Sequence, residues 1–562
     1  MSGGKFMYNL LIGGAAGQGI ETTTAILEKL LKRSGYNVFT SRDFMSRVRG
    51  GHNFSLIRFG TEIILSHSDK LDGIIALTDD TIELHQHKLN ESGFILCDSG
   101  LATTDPRAIK ISMEDMAKTL GNSRASGSIA VGVILKLFGE NLDYVPDIIR
   151  TFVKEQYLEI NLKAVEEGYQ AVDKRFPHLQ GQFSDWMILS GSKALALGAI
   201  ASGLRFYSAY PMSPSTAVME YLASKGDETE IVVEQAEDEI AAINMAIGAS
   251  YAGARAMTGT SGGGFCLMVE ALGLSGIAEI PLVVVDVQRP GPATGLPTRT
   301  EQSDLKFVIS ASQGEFPRMV IAIRNHTDAF YQTIRAFHLA EKYQIPVIIL
   351  SDQYLGDTSA TIKPFDINGI EVASPATSYK GEGEYLRYKY TQDGISPRLI
   401  PGKTKNFVSI DSDEHDERGW LTESSEVRNK MMEKRMKKLE NLKEELQEPE
   451  FIGNDSYETL LIGWGSTYGP IVEAVKTLNE KSTDKYAALI FGDVYPLPQK
   501  LLKEKADVAR RIINIEQNAT GQLADLIREQ TGITCTGSIL KYDGRQISGE
   551  EIAEQIQKED LT

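Results

Sequence analysis

Cysteine is scarce in this chain. Its 562 residues carry three, Cys97, Cys266 and Cys535, far apart and with no C-x-x-C pair among them. That excludes a disulfide framework and a self-contained four-cysteine cluster or zinc site. A basic excess is also missing: 58 Lys and Arg stand against 76 Asp and Glu, a formal net charge of −18. Nucleic acid is therefore not expected as the main ligand, because a phosphate backbone needs clustered cations. Phosphorylated cofactors stay open, since backbone N–H groups and a few local cations can hold them. No long apolar run is free of charge, so no membrane attachment is expected. Met1-Ser2-Gly3-Gly4-Lys5 has no signal-peptide layout, and a cytoplasmic location is expected. The eight histidines do not make a metal set. His85 and His87 would lie on different faces of a helix and read as surface residues. A metal site in the chain is not expected.

The length suggests roughly three to four domains, and the residue pattern is α/β throughout. Phe6 to Ile12 reads as a strand, Gly13-Gly14-Ala15-Ala16-Gly17-Gln18-Gly19 as a tight turn, and Ile20 to Arg33 as a helix stopped by Gly35. A glycine turn between strand and helix offers N–H groups to an anion. The order here is G-x-x-G-x-G, and the second strand, Asn37 to Thr40, runs into Ser41-Arg42 where a dinucleotide site wants an acid. Close packing, a phosphate-bearing ligand and a subunit contact all fit Gly17, Gln18 and Gly19 better than NAD does. Arg42, Arg47 and Arg49 precede Gly50-Gly51. They form either an anion clamp or salt-bridged interface residues. Ala125-Ser126-Gly127-Ser128 reads as the start of an apolar helix from Ile129 to Phe138. The expected divisions are residues 1–182, 188–360, a linker with a charged helix at 361–450, and a compact α/β unit at 451–562. The acidic loop Asp413 to Glu417 reads as solvated. The helix at 426–447 shows one narrow apolar stripe, Met432, Met436, Leu439, Leu442 and Leu446.

The densest stretch lies between Tyr207 and Leu305. It holds Tyr210-Pro211-Met212-Ser213-Pro214-Ser215, the acids Glu234, Glu237, Asp238 and Glu239, the glycine loop Thr258 to Gly264, and Arg289 to Thr298. Glu239 opens an apolar helix. Its plainest role is to compensate the positive end of the helix dipole. The small residues around it, and a loop containing Thr260, Ser261, Gly262 and Gly263, would also let a flat ligand approach the backbone. Pro281 to Val287 is a β-branched strand suited to a parallel sheet. Arg289 follows it, where α/β enzymes place their sites and where a guanidinium could fork onto a carboxylate.

These residues resemble the α subunit of 2-oxoacid:ferredoxin oxidoreductases, in the form with a γ domain fused at the N-terminus. Gly17-Gln18-Gly19 and Arg49-Gly50-Gly51 are similar to the γ domain. Tyr210 to Ser215 resembles the family's Y-P-I-T-P-S loop. Glu239 with Gly248-Ala249-Ser250 resembles its glutamate motif, and Arg289 to Thr298 its R-x-G-P-S-T-G-x-P-T loop. The resemblance implies three α/β domains: a γ-type Rossmann-like domain, a thiamine diphosphate pyrimidine-type domain and a transketolase C-terminal-like domain. It implies thiamine diphosphate bound with help from Glu239, Thr260, Ser261, Gly262 and Gly263, with Glu239 catalytic at N1′ of the aminopyrimidine. Tyr210, Pro211, Ser213, Arg289, Thr294 and Thr298 would line the 2-oxoacid. Gly17, Gln18, Gly19, Arg49, Gly50 and Gly51 would meet coenzyme A or a neighbouring subunit.

The same resemblance implies that the chain works with another. The family's diphosphate site uses a G-D-G motif, which is absent here, and three scattered cysteines cannot build an electron-exporting cluster. A β subunit is expected to bring the diphosphate and Mg2+ site and a 4Fe–4S cluster, in an (αβ)2 heterotetramer that reduces ferredoxin. Two departures bear on substrate: Ser213 replaces the usual Thr, and Ala293 the commoner Ser. The smaller Ser213 side chain and the fused layout favour 2-oxoglutarate. A broad-range or pyruvate-type enzyme, a noncatalytic scaffold, and a flavin or NAD enzyme using the N-terminal glycine turn are the alternatives.

Overall fold

The structure, a computed structural model, describes residues 7–45, 51–372, 379, 383–481 and 485–559. Arg47, Arg49 and Gly50 lie outside the described residues, as do Lys380-Gly381-Glu382. Among the described residues, sheets of eight, seven and five strands with helices packed on them organise the chain. The chain packs as two compact units. One runs up to Ser190 and adds Asp357–Pro364 and Ser548–Glu550; the other takes the remainder. Among the described residues no helix is long and apolar enough to cross a membrane.

In the first unit, strand Met7–Ala15 pairs parallel with Leu71–Ala76 and antiparallel with His52–Gly60. The strand is longer than its sequence suggests, because Gly13 and Gly14 belong to it and not to the turn. A Cβ on Gly13 would come within 2.6 Å of Thr81, and one on Gly14 within 2.6 Å of Gln18 Oε1. Glycine here serves close packing as well as turning. The helix runs Ile20–Arg33 as its periodicity predicts. Arg42 is an internal brace: it pairs with Glu21 at 3.3 Å and Glu28 at 3.2 Å and donates to the Asp357 carbonyl. His85 departs from expectation. It is buried, and its Nε2 lies 2.9 Å from His52 Nε2.

In the second unit the seven-stranded sheet is ordered Asp493–Tyr495, Met319–Ala322, Pro346–Asp352, Leu282–Gln288, Ala256–Thr260, Phe206–Ala209, Val232–Gln235. All pairs are parallel except the one with Asp493–Tyr495. The five-stranded sheet of the C-terminal region, with Thr459–Trp464 and Tyr486–Phe491 at its centre, shares one hydrophobic core with it: Val284, Val320 and Leu350 belong to the same cluster as Ile462, Trp464 and Phe491.

The helix Ser425–Leu442 corrects a sequence expectation. Its Met432, Met436 and Leu439 are only half-buried, whereas Lys434, Arg435 and Lys438 are buried. The cause is Glu279, which has no exposed surface. Lys434 and Lys438 each form an ion pair with it, and Arg387 donates to its backbone carbonyl at 2.7 Å. Burial alone would raise the Glu279 carboxyl, but the Lys438, Lys434 and Arg387 charges hold it well below the usual range. The loop at 413–417 is likewise not simply solvated. Glu414 bonds Arg435 at 2.7 Å, and His415 is buried against the Tyr388 ring at 3.9 Å. Among the described residues no cluster of three or more His, Cys, Asp or Glu is arranged for a metal ion. Removing one partner of a buried ion pair strands the other charge, so Lys438→Ala is expected to cost about 3 kcal/mol or more, measured by urea denaturation. A change below about 1 kcal/mol would show that the pair behaves as a solvated one.

Candidate active site

Parallel strands end on the same side of a sheet, and the crevice beyond their carboxyl ends is where α/β folds collect functional groups. Here Phe206–Ala209 leads into Tyr210, Val232–Gln235 into Asp238 and Glu239, Ala256–Thr260 into Ser261, and Leu282–Gln288 into Arg289. The four motifs of the central stretch therefore converge.

Of the acids, only Glu239 is buried; Glu234 and Glu237 are exposed. Glu239 is the first residue of helix Glu239–Tyr251, whose N-cap Asp238 accepts from the Ala241 N–H at 2.7 Å. Asp238 thus does the capping that the sequence suggested for Glu239, and leaves it for another task. Glu239 Oε1 is buried with no hydrogen-bond partner. A buried carboxylate oxygen without a donor is costly, and it marks a place for an incoming N–H.

Thr258 to Gly264 is not a loop. Residues up to Thr260 complete a strand, Ser261 is an N-cap, and Gly262–Ile277 is a helix. Glycine appears in the first turn because nothing larger fits. A Cβ on Gly264 would lie 2.1 Å from Thr260 Oγ1 and 2.6 Å from Glu239 Oε1. Gly263 is exposed and Gly262 half-buried beside it. The Ser261 hydroxyl is also buried without a partner. This small cradle, with one free carboxylate oxygen on its wall and no room for a side chain at Gly264, is of a kind that fits the flat aminopyrimidine implied by the sequence resemblance.

Arg289 is half-buried and joins two motifs: its Nη1 donates to the Ser213 carbonyl. Tyr210 is exposed and Pro211 and Ser213 half-buried on one side. Thr294 is exposed and Thr298 half-buried on the other. Gly295, at φ +52°, accepts no side chain, since a Cβ would stand 1.8 Å from the Pro290 carbonyl oxygen, the same oxygen that takes the Leu296 N–H at 3.0 Å.

Two residues escaped the sequence reading. Asp286 sits in the apolar strand Leu282–Gln288 and has no exposed surface. Asp304 follows the arginine loop and is tied to that strand by its N–H, which donates to Gln288 Oε1 at 3.1 Å. Burial first, and then Asp304, push the Asp286 carboxyl well above the ordinary range. Burial and Glu301, against the pull of Arg289, hold Asp304 up at about 6. The signal available in sequence was a single acid inside a β-branched run.

In the first unit Gly17, Gln18 and Gly19 border a separate cavity of about 970 Å³. The first turns of helices Ile20–Arg33 and Ser126–Phe138 open onto it, and Lys118, Arg124 and Lys154 supply positive charge. Gln18 holds the turn by accepting the Ala15 N–H at 2.8 Å.

Comparison with known proteins identifies the family. Residues 197–434 match the family model described as pyruvate flavodoxin/ferredoxin oxidoreductase, thiamine diphosphate-binding, and residues 9–171 match pyruvate ferredoxin/flavodoxin oxidoreductase. A 2-oxoacid:ferredoxin oxidoreductase subunit alpha from a Sulfolobus species is 32% identical over 98% of this chain and 96% of its own. The 2-oxoglutarate synthase subunit KorA of Methanocaldococcus jannaschii is 36% identical over 59% of this chain and 88% of its own. Among solved structures, 2-oxoglutarate:ferredoxin oxidoreductase from Magnetococcus marinus, with 2-oxoglutarate, coenzyme A and succinyl-CoA bound, superposes with a TM-score of 0.92 at 31% identity, covering 99% of this chain and 100% of that one.

The cradle can be probed without any ligand. Gly264→Ala should cost about 1–3 kcal/mol of stability by overpacking. Gly248→Ala, on the neighbouring helix with nothing within 4 Å of its would-be Cβ, should be neutral or stabilising by up to about 1 kcal/mol. Denaturant midpoints of the two variants check both values.

Proposed function

Because the chain belongs to the thiamine diphosphate-dependent 2-oxoacid:ferredoxin oxidoreductases, as an α subunit, we propose that it takes part in the oxidative decarboxylation of 2-oxoglutarate, which releases CO2, passes the four-carbon acyl group that remains to coenzyme A as a thioester, and sends two electrons to ferredoxin. The observation that carries this reading is the buried, unpartnered oxygen of Glu239. When bound, thiamine diphosphate supplies the electron sink for loss of CO2 from a 2-oxoacid. The chain's own residues do the rest of the local work. Glu239 Oε1 holds a proton at N1′ of the aminopyrimidine, a positioned transfer of the kind worth about 10²–10⁴-fold in rate. Thr260, Ser261, Gly262 and Gly263 shape the cradle. Arg289 makes one hydrogen bond among the described residues, to the Ser213 carbonyl. The rest of its fork is available to a substrate carboxylate, beside Tyr210, Pro211, Ser213, Thr294 and Thr298.

The substrate reading rests on the names of the 2-oxoglutarate relatives and on the space left by Ser213. A broad-range enzyme would show itself by comparable turnover of pyruvate. Coenzyme A is assigned to the cavity at Gly17, Gln18 and Gly19, where two helix N-termini and Lys118, Arg124 and Lys154 suit its phosphates. A β subunit brings the Mg2+–diphosphate site and the 4Fe–4S cluster, in an (αβ)2 assembly, because this chain has neither a G-D-G motif nor grouped cysteines.

Viologen reduction by the complex with its β subunit tests the reading. Glu239→Gln should lower turnover by about 10²–10⁴-fold with both subunits still associated, whereas intact turnover would make the chain a scaffold. Arg289→Ala should raise KM for 2-oxoglutarate and leave KM for coenzyme A unchanged. Arg124→Glu with Lys154→Glu should do the opposite.

A further inference from the structure

We propose that Asp286 and Asp304 act as a pair of electrostatically coupled buried acids whose protonation sets how strongly Arg289 grips the carboxylate of the 2-oxoacid. The inference rests on the reading of Arg289 given above and adds two positioning residues to it.

The geometry comes first. Asp286 has no exposed surface, and neither of its carboxylate oxygens has a hydrogen-bond partner; Asp304 Oδ2 is buried and unpartnered as well. A lone ionised carboxylate in such a place is too costly to persist, and a second acidic charge nearby adds to that cost. Among the described residues no cation offsets Asp286, whose charged neighbour is Asp304. A retained proton is the remaining way to neutralise it. Asp304 cannot drift away. Its N–H is bonded to Gln288, the residue before Arg289, and its carboxylate is pressed against Gly262, where a Cβ would lie 2.4 Å from Oδ2. Thr260 and Asp286 are register partners on neighbouring strands. The pair therefore lies between the wall of the cradle and the base of Arg289. The other titratable groups near it are Glu301 and the Cys266 thiol, which burial first, and then the two acids, raise above its ordinary value.

The electrostatic consequence follows from position. Asp304 and Arg289 attract each other. An ionised Asp304 therefore competes with the substrate carboxylate for the guanidinium, and a protonated one does not. Asp286 keeps its proton, so the pair is neutral below the Asp304 transition at about 6 and carries one negative charge above it. The grip on 2-oxoacid should be tighter on the acid side.

The test is the pH dependence of KM in the αβ complex. In the wild type, KM for 2-oxoglutarate should rise on the order of tenfold as pH climbs through about 6, while KM for coenzyme A stays flat. Asp304→Asn should remove that inflection and hold KM near its low-pH value. A flat wild-type profile, or an inflection that survives Asp304→Asn, overturns the proposal. Should Asp304→Asn not fold, difference infrared spectra of wild type against Asp286→Asn at neutral pH decide: loss of a buried carboxylic-acid carbonyl band is expected, and no such band sinks the proton on Asp286 and with it the proposal. If Arg289→Ala fails to raise KM for 2-oxoglutarate, it is the reading of Arg289 that falls. If Arg289→Ala does raise it and the inflection is absent, only the acid pair falls.

Discussion

A carboxylate oxygen held indoors with nothing to accept from is the constraint around which the second unit is arranged. Glu239 could satisfy itself by capping its own helix, but Asp238 already occupies that role. It could turn to the opposing helix, but Gly264 offers it no side chain. The neighbouring choices keep the oxygen vacant. Such an arrangement is unfavourable for the free chain and is recovered only when a donor arrives, which is how a fold stores affinity for a ligand in its own unsatisfied groups.

The parallel sheet makes this possible. Four strands finish on one side, so loops distant in sequence converge without long connections. Arg289 and Ser213, 76 positions apart, are joined by one hydrogen bond. The Ser213 carbonyl fixes the guanidinium, and the guanidinium fixes the loop. An error in either loop is transmitted to the other.

Much of this could be read from residues alone, for identifiable reasons. The helix beginning at Glu239, the strand ahead of Arg289 and the N-terminal strand–turn–helix have local signals: apolar periodicity, β-branched runs, glycine at a turn. What could not be read depended on partners far along the chain. Lys434 looks like a solvated residue until Glu279, 155 positions earlier, is placed beside it. Asp286 looks like an oddity in an apolar strand until Asp304, tied to the same strand through Gln288, brings a second acid within electrostatic reach. Thr258 to Gly264 reads as a loop because glycine usually breaks helices, yet Gly264 is selected by the crowding of Thr260 and Glu239. His85 follows the same pattern: it ends helix Asp79–His85 and lies against His52, the first residue of strand His52–Gly60.

The two lysines turned inward from helix Ser425–Leu442 bear on where this protein can be divided. The matched thiamine-binding segment stops at residue 434, in the middle of that helix and between the two cations that neutralise Glu279. A fragment ending there would keep the glutamate and lose Lys438. The boundary suggested by shared ancestry and the boundary required by electroneutrality of the core are therefore different.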